Sequence, residues 1–313
     1  MIKARYTVGI QCMTYNHSRY ILDTLNGFTT QKTTFPYVIL IVDDASTDGN
    51  DKIIQEYVDE KFHLTDKTIA YCQETEYANI TFAQHKNNKN CYIVAMYLKF
   101  NHYQIGRKAD KLKYLSEWVG SSKYIALCEG DDYWIDPLKL QKQVDFMMAH
   151  PDCYVCFHAH INLHESGRIE YVHRYSSNQD NCNKEQAIMG GGEYMATNSM
   201  LYTSMGLQSY PVWANEAPVG DYSLMLVLLT KGNIGYIDEI MSVYRVGALG
   251  SWVKQMSKDM TKLLFHKKRM LRMYILYNKW SNYKYNKCIL TLICRNIIDQ
   301  LKLNLRILIN KFN

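Results

Sequence analysis

The sequence contains no run of 18 uncharged apolar residues, so we predict no helix that spans a membrane. Its nine cysteines are odd in number and irregularly spaced, which argues against a disulfide framework. The opening residues, MIKARYTVGIQCM, include a short apolar stretch but no small-residue cleavage site, so they do not resemble a secretory signal. We therefore expect a reducing, cytoplasmic compartment.

Internal repeats and low-complexity segments are also absent. The 313 residues are 47% hydrophobic and 21% charged, a composition that excludes a disordered chain and can build a core. The length fits one large domain or two modest ones.

Charge is distributed unevenly along the chain. Residues 254–313 contain 14 lysines and arginines against two aspartates, a net charge of +12, which leaves −6 for residues 1–253 because the whole chain carries +6. The tail also places Leu and Ile at helical spacing, a pattern typical of a basic amphipathic helix on a membrane surface. The same pattern fits a helix pair packed on the body, so both interpretations stay open.

Strand and helix patterns alternate through the first half of the chain. YTVGIQCM, FPYVILIVDDAS and KYIALCEGDD have strand character, and helical spacing follows each of them. The uninterrupted apolar run VILIV indicates a strand buried on both faces of a parallel sheet. We predict an open α/β sheet flanked by helices, a polar, loop-rich stretch over 165–192, and a helical C-terminal extension.

Two predicted strands end in acidic pairs, Asp43-Asp44 and Asp131-Asp132. Ligands of open α/β sheets bind beyond the carboxyl ends of the strands, so both pairs should face one crevice. Clustered carboxylates suit Mg²⁺ or Mn²⁺, which commonly also hold substrate phosphates. Either pair alone fits a solvated turn equally well. The two together favour a site.

Two further motifs suggest other chemistry. CYVCFHAH places Cys156, His158 and His160 on one strand face, but no second CxxC accompanies them, so a structural role is favoured over zinc binding. Three glycines at 190–192 indicate a mobile loop rather than a phosphate cradle, because no strand–GxxxxGK[ST]–helix pattern surrounds them.

Four segments occur in the order seen in one enzyme family: CMTYNHSRYILDTLNGFTTQ, YVILIVDDASTDGNDKIIQEY, CEGDDYWIDPLKLQKQVDFM and VGDYSLMLVLL with GYIDEIMSVYR. Over about residues 5–252 the chain resembles family 2 glycosyltransferases of the GT-A fold, in particular bacterial enzymes of surface polysaccharide synthesis. The resemblance implies a Rossmann-like open mixed sheet over 1–253, with a nucleotide-sugar half over 1–135 and an acceptor half over 136–253. The basic tail is then 254–313.

The resemblance also implies roles at the donor end. Thr14, Tyr15 and Asn16 would lie at the base and ribose, with Tyr15 offering an aromatic face. Asp44 would accept a hydrogen bond from the uracil ring N–H. Asp43 would either approach the ribose or only support Asp44.

By the same resemblance, Asp132 would be the better metal ligand, and Asp131 would contact sugar or ribose or act as a second ligand. The cation, Mn²⁺ or Mg²⁺, would neutralise the leaving diphosphate. Relatives often carry a histidine two residues after the YR pair, whereas here Val246 and Gly247 follow Tyr244-Arg245. Arg245 would then be the main cation near the diphosphate, or metal affinity would be weaker.

On the acceptor side, Asp221 matches the family's catalytic base, although an aspartate before an apolar helix is equally typical of a helix N-cap. Glu216 is the second choice for the base. His158 and His160 could contact an acceptor sugar, and Trp252 could do so or pack as core or lid.

The predicted function is that of an inverting, metal-dependent glycosyltransferase, a hexosyltransferase that moves sugar from a UDP-sugar to a saccharide or lipid-linked acceptor. A nucleotidyltransferase is the first alternative, but CMTYNHSRY lacks the Gly-rich loop with a basic residue that such enzymes carry. A nucleic-acid-binding protein that uses the basic tail is the second. The acidic body and the aliphatic residues of the tail argue against it, so we expect no nucleic acid partner.

Overall fold

One mixed sheet organises the described part of the chain. The computed structural model describes residues 6–104, 116–118, 120–248 and 259–312. The first half contains β1 (Val8–Thr14), α1 (Ile21–Thr29), β2 (Tyr37–Asp43), α2 (Asn50–Lys61), β3 (Ala70–Glu74), β4 (Ala78–Gln84) and β5 (Cys91–Leu98).

The second half continues the sheet and ends in two long helices. It contains β6 (Tyr124–Leu127), β7 (Tyr133–Trp134), α3 (Lys139–Ala149), β8 (Cys153–His164), β9 (Ile169–Val172), α4 (Lys184–Gly190), β10 (Leu201–Thr203), α5 (Val212–Asn215), α6 (Gly220–Lys231), β11 (Asn233–Val246), α7 (Met260–Trp280) and α8 (Asn286–Phe312). The stretch 165–192, expected to be loop-rich, therefore holds a short strand and a short helix.

The strand order among the described residues is β3-β4-β5-β2-β1-β6-β10-β8-β11-β7, with β9 beside β8. The centre, β5-β2-β1-β6, is parallel, whereas β10 runs antiparallel to both β6 and β8. This arrangement brings the carboxyl ends of β1, β2 and β6 to one edge.

The core forms two layers, one on each face of the sheet. Along β2 every residue is buried, and successive side chains enter different layers: Val38 and Leu40 pack in one, Ile39 and Ile41 in the other. Burying each such side chain stabilises the fold by about 1.5–3 kcal/mol. The continuous apolar run of this strand is explained by cover on both faces.

The first of the two C-terminal helices packs on the body. Tyr277 of α7 is fully buried, and its hydroxyl lies 3.0 Å from the Thr230 hydroxyl of α6. Tyr274 meets Tyr222 edge to face, with ring centroids 6.3 Å apart. The packing interpretation of the tail therefore holds for α7. No helix of the described residues is both long enough and apolar enough to cross a membrane.

Candidate functional site

The ends of β1, β2 and β6 form the floor of a crevice. The Asp44 N–H donates to the Thr14 carbonyl at 3.0 Å, and the Gly130 N–H donates to the Met13 carbonyl at 2.9 Å. A Cβ on Gly130 would lie 2.4 Å from Thr14 Oγ1, so only glycine fits where the two strand ends meet. The backbone thus brings the two acidic pairs to neighbouring positions.

Asp43 organises the loop that follows β2. Its carboxylate accepts hydrogen bonds from the Ser46 N–H at 2.9 Å, the Ser46 hydroxyl at 2.6 Å and the Asn50 side-chain amide at 2.7 Å. The same amide donates to Thr14 Oγ1 at 3.1 Å. Of the two roles expected for Asp43, these contacts favour support over contact with the ribose.

Asp44 is buried and already holds another segment of the chain. Its two carboxylate oxygens accept the backbone N–H groups of His102, at 2.8 Å, and Tyr103, at 3.2 Å. These bonds join the end of β2 to the segment that contains His102 and Tyr103.

Asn16 connects the loops after β1 and β2. It adopts a left-handed conformation with φ of 57°, and its side-chain oxygen accepts the Thr47 N–H at 2.8 Å. Asp48 adds a second link, because it accepts the N–H groups of both Ser18 and Asn50. Tyr15, between Thr14 and Asn16, is half-buried.

The acidic turn after β6, which contains Glu129, Asp131 and Asp132, is held by hydrogen bonds from distant segments of the chain. Asp132 is only 2% exposed, and its carboxylate accepts the Arg245 N–H at 2.8 Å. Burial raises the pKa of Asp132 well above its usual value, and the negative charges of Asp131 and Glu129 raise it further. Thr24 of α1 donates to the Asp132 carbonyl at 2.6 Å. The described residues therefore compensate the negative charge of Asp132 poorly.

Arg245 supports the turn with its side chain as well. The guanidinium donates to the Asp131 carbonyl at 2.7 Å and to the Asp23 carboxylate, and it lies over the rings of Tyr20 and Tyr133 at 4.9 and 4.4 Å from their centroids. These contacts fix its position beneath the acidic turn and make positioning its evident role in this structure.

His17 is a site residue that sequence reasoning missed. Its Nε2 lies 3.9 Å from an Asp131 carboxylate oxygen, and its buried Nδ1 has no hydrogen-bond partner among the described residues. Burial lowers the pKa of His17, against the opposing charges of Asp131, Asp48 and Asp43. The signal was its place in the loop after the first strand, which should face the crevice.

Asp221 lies in the first turn of α6. Its carboxylate accepts the Tyr222 N–H at 2.6 Å and the Thr197 hydroxyl at 3.1 Å. The N-cap of the helix is Val219, so Asp221 is not the capping residue. Burial raises the pKa of Asp221, as suits a group that must accept a proton. A Cβ on Gly192 would lie 3.8 Å from this carboxylate, which places the three-glycine segment beside it.

The Tyr244 hydroxyl is affected by charges from both the acidic turn and Asp221. Burial raises its pKa to about 12, and the charges of Asp132, Asp131, Asp221 and Glu193 act in the same direction. The negative charges of the acidic turn and of Asp221 therefore both act on the Tyr244 phenol. Glu193 is a further carboxylate that sequence reasoning did not select.

The other residues expected on the acceptor side lie elsewhere. Glu216 faces α7, where its carboxylate lies 3.6 Å from Arg272 and its carbonyl accepts a bond from Arg269. His158 is 1% exposed and His160 is also buried, so neither presents a surface to an acceptor in this structure. Trp252 lies outside the described residues.

The acidic turn fits a cation that shares its coordination with substrate. Across the described residues, no three His, Cys, Asp or Glu side chains lie close enough to hold a metal by themselves. Magnesium bound by one or two carboxylates plus substrate phosphates does not need a third protein ligand. Asp132, with its raised pKa, and neighbouring Asp131 provide that smaller donor set.

The chain is similar to known proteins in sequence and in fold. Residues 12–88 match the model of the family described as glycosyl transferase family 2. Uncharacterized proteins of Mycobacterium bovis and Mycobacterium tuberculosis are 32% identical over 246 residues, which cover 78% of this chain and 60% of each relative. The chain therefore spans about three fifths of the length of these relatives. TuaG of Bacillus subtilis, provisionally described as a teichuronic acid biosynthesis glycosyltransferase, is 24% identical over 90% of this chain and 94% of its own.

Two solved structures share the fold. TarS 1–349 of Staphylococcus aureus, in complex with UDP, aligns with a TM-score of 0.54 and 15% identity over 86% of this chain and 65% of its own. Mannosyltransferase PcManGT of Pyrobaculum calidifontis, in complex with GDP-Man and Mn²⁺, gives 0.51 and 10% over 95% and 76%. The predicted GT-A architecture with C-terminal helices is confirmed. These two structures show the fold of the chain, and the family match lies in its first third.

Proposed function

We propose that the protein is an inverting, metal-dependent glycosyltransferase that moves a sugar from a UDP-sugar to a saccharide or lipid-linked acceptor in surface polysaccharide synthesis. The observation that carries the proposal is the meeting of the two acidic pairs, Asp43-Asp44 and Asp131-Asp132, where the parallel strands β2 and β6 end on either side of β1. A crevice with a cation-binding turn at one side and a buried carboxylate of raised pKa at the other suits transfer from a nucleoside diphosphate.

The donor base would bind between the loops after β1 and β2. Asp44 would accept the uracil ring N–H, and Tyr15 would offer a ring face. Asn16 would position the backbone around the ribose, because it joins the two loops through Thr47. The UDP in the TarS structure supports uridine as the base.

The diphosphate would lie above the acidic turn. Asp132 would hold Mn²⁺ or Mg²⁺ with help from Asp131, and the ion would supply Lewis-acid neutralisation of the leaving diphosphate. The Arg245 N–H orients Asp132 from behind, and the Arg245 guanidinium fixes the Asp131 carbonyl. The Mn²⁺ named with PcManGT supports a divalent cation at this kind of site.

Asp221 would act as the base in a single displacement. It takes the proton of an acceptor hydroxyl while that oxygen forms a bond to the anomeric carbon, and the bond from that carbon to the diphosphate oxygen breaks. The electron pair leaves with UDP, and attack from the opposite side inverts the anomeric configuration. Its raised pKa supports the role, because a base works best when its pKa approaches the operating pH.

A polysaccharide acceptor is supported by the likeness to TuaG, whose description places it in teichuronic acid biosynthesis.

A reducing, cytoplasmic compartment remains part of the proposal. All nine cysteines are free in the structure, and seven of them are buried.

The test is thermal unfolding with UDP in the presence and absence of Mn²⁺. A ligand at 100 times its dissociation constant stabilises the native state by about 2.7 kcal/mol, which raises the melting temperature by about 4 °C in a chain of 313 residues. We expect Asp132→Asn to lose the Mn²⁺-dependent part, whereas Asp238→Asn, whose carboxylate is bonded to His173 away from the turn, should keep it. Full Mn²⁺-dependent binding by Asp132→Asn would contradict the assignment. Release of pyrophosphate from UTP and a sugar phosphate would instead favour a nucleotidyltransferase.

A further inference from the structure

Helix α8 presents a continuous apolar face to solvent. Seven aliphatic side chains on it are between 42% and 64% exposed: Leu290, Ile297, Ile298, Leu301, Leu305, Leu308 and Ile309. At 100° per residue their positions fall within an arc of about 120° on one side of the helix. Scattered surface aliphatics are common, but an aligned row of seven marks an interaction surface.

The opposite side of α8 is already occupied. Ile289 is fully buried and Leu303 nearly so. Asp299 is paired with Lys267 of α7 at 2.7 Å. The helix is thus fixed on α7 by one side, while the aliphatic face is directed away from the body.

Cations accompany the aliphatic face. Lys287 lies within the arc, and Arg295, Lys302 and Arg306 follow along one flank at about 120–160° from Leu290. Asp299 is the only acidic residue of the helix, and its charge is already paired with Lys267. The surface therefore combines exposed aliphatic area with positive charge for which the described part of the chain shows no acidic partner.

We propose that this face of α8 docks on an anionic lipid surface, with the helix lying in the interface. A helix of 27 residues is about 40 Å long, and its aliphatic face would enter the boundary between headgroups and acyl chains. Its cations would meet anionic headgroups. A second copy of the chain is a poorer partner, because it would bring the same cations together. A nucleic acid would leave the seven aliphatic side chains in water.

The experiment is co-flotation of the full-length protein with vesicles of phosphatidylcholine alone or mixed with phosphatidylglycerol. We expect binding to the anionic vesicles, weakened by added salt. The double variant Leu301→Gln/Leu305→Gln should lower partitioning by about 10²-fold, from the lost burial of two leucines. Lys302→Gln/Arg306→Gln should lower it by about 30-fold, from about 1 kcal/mol for each cation.

The matched control is Ile169→Gln/Tyr171→Gln, which removes two exposed apolar side chains of β9 and should leave vesicle binding unchanged. All the variants replace exposed residues, so their melting temperatures should match the wild type, and circular dichroism checks this. Equal binding to neutral and anionic vesicles would overturn the proposal. A concentration-dependent dimer abolished by Leu301→Gln/Leu305→Gln would overturn it in favour of a second copy. Salt-dependent binding to random DNA without vesicle binding would overturn it in favour of nucleic acid.

Discussion

The two ends of the candidate site, which we propose bind the donor and the acceptor and call the donor end and the acceptor end, are held in different ways. At the donor end, Asp43 and Asp44 use their carboxylate oxygens to bind the chain itself, through Ser46, Asn50 and two backbone N–H groups. At the acceptor end, Asp221 has one backbone and one side-chain partner and faces a glycine-rich segment. A fixed donor end suits a ligand of constant structure, whereas a more open acceptor end suits chemistry on a variable partner.

The difference follows from the elements that build each end. The donor end lies at the ends of the adjacent parallel strands β1 and β2, whose register fixes Thr14 beside Asp43. The acceptor end is formed by the first turn of α6 and by a short turn over Gly191–Glu193. Substitutions at the donor end should therefore change stability and binding together, whereas substitutions at the acceptor end should change catalysis alone.

The largest effect should come from Asp221→Asn. Loss of the base should lower the transfer rate by about 10²–10⁴-fold, while UDP binding and folding are retained, because asparagine still accepts a hydrogen bond. Steady-state transfer and calorimetric UDP binding measure the two parts. Glu216→Gln, a carboxylate replaced on the side that faces α7, is the control and should transfer at the wild-type rate. The reverse pattern would assign the base to Glu216.

The pH profile of the wild type sharpens the same test. The base must be ionised, so transfer should fall as pH falls through the pKa of Asp221. Because burial raises that pKa, the fall should begin at higher pH than for a solvent-exposed aspartate. An ionised carboxylate with a raised pKa also destabilises the folded state, so Asp221→Asn should be at least as stable as the wild type at neutral pH.

Asp44→Ala tests the donor end. The substitution should remove the carboxylate acceptor of the buried His102 N–H and of the partly exposed Tyr103 N–H, at a cost of about 1–3 kcal/mol in unfolding free energy, as well as weakening UDP binding. Urea unfolding and calorimetry measure the two. Asp59→Ala, at an exposed position of α2, should change stability by less than about 0.5 kcal/mol. Weaker UDP binding at unchanged stability would show that the hydrogen bonds from His102 and Tyr103 to Asp44 do not stabilise the fold.

Lys139 lies where the two halves meet. It is fully buried, its Nζ lies 3.9 Å from the Trp134 ring centroid, and the Trp134 indole donates to the Asn198 carbonyl of the acceptor half. Burial lowers the pKa of Lys139 to about 7, so above that pH the unfolded chain binds more protons and stability rises with pH. The slope should approach about 1.4 kcal/mol per pH unit.

Lys139→Met should remove this rise between pH 7 and 8.5, as measured by urea unfolding at several pH values. Lys123→Met, which replaces a surface lysine, should retain it. Equal slopes in wild type and Lys139→Met would mean that Lys139 is solvated or paired in solution.

The smallest effect should come from Thr24→Val. Valine keeps the shape but removes the bonds to the Gly130 and Asp132 carbonyls, which should cost about 1 kcal/mol of stability and weaken Mn²⁺-dependent UDP binding a few-fold. Thr29→Val, on the same helix but bonded to Leu25 and Tyr57, should lose similar stability without a change in binding. If both variants bind UDP equally, α1 does not support the acidic turn.

The sequence was informative wherever a signal lay within a few residues. The continuous apolar runs predicted β1, β2 and β6, and the acidic pairs at their ends do lie at one edge of the sheet. β4 and β5 were not identified, although CYIVAMYL is as apolar as the predicted strands, and the short strand β9 was assigned to a loop. The polar residues before β4 and β5 in the sequence, and the short length of β9, concealed these three strands.

Contacts between distant segments could not be predicted. Arg245 and Asp132 are 113 positions apart in the chain, and Thr24 and Asp132 are 108 apart, yet they share the acidic turn. Arg245 was expected at the diphosphate because its cationic charge was visible in sequence, whereas its hydrogen bonds to the acidic turn were not. His17 was overlooked for the same reason, since only the fold brings it to Asp131.

The packing of α7 has a consequence for how the molecule folds. Tyr277 and Ile289 of the C-terminal helices share one hydrophobic cluster with Leu226 and Val227 of α6. A chain truncated after residue 253 would expose that cluster to solvent. The change in net charge at residue 254 should therefore not mark the edge of a folding unit. The body and the first part of the tail should melt in a single cooperative transition, in which the basic segment acts as the last layer of the core rather than as an appendage.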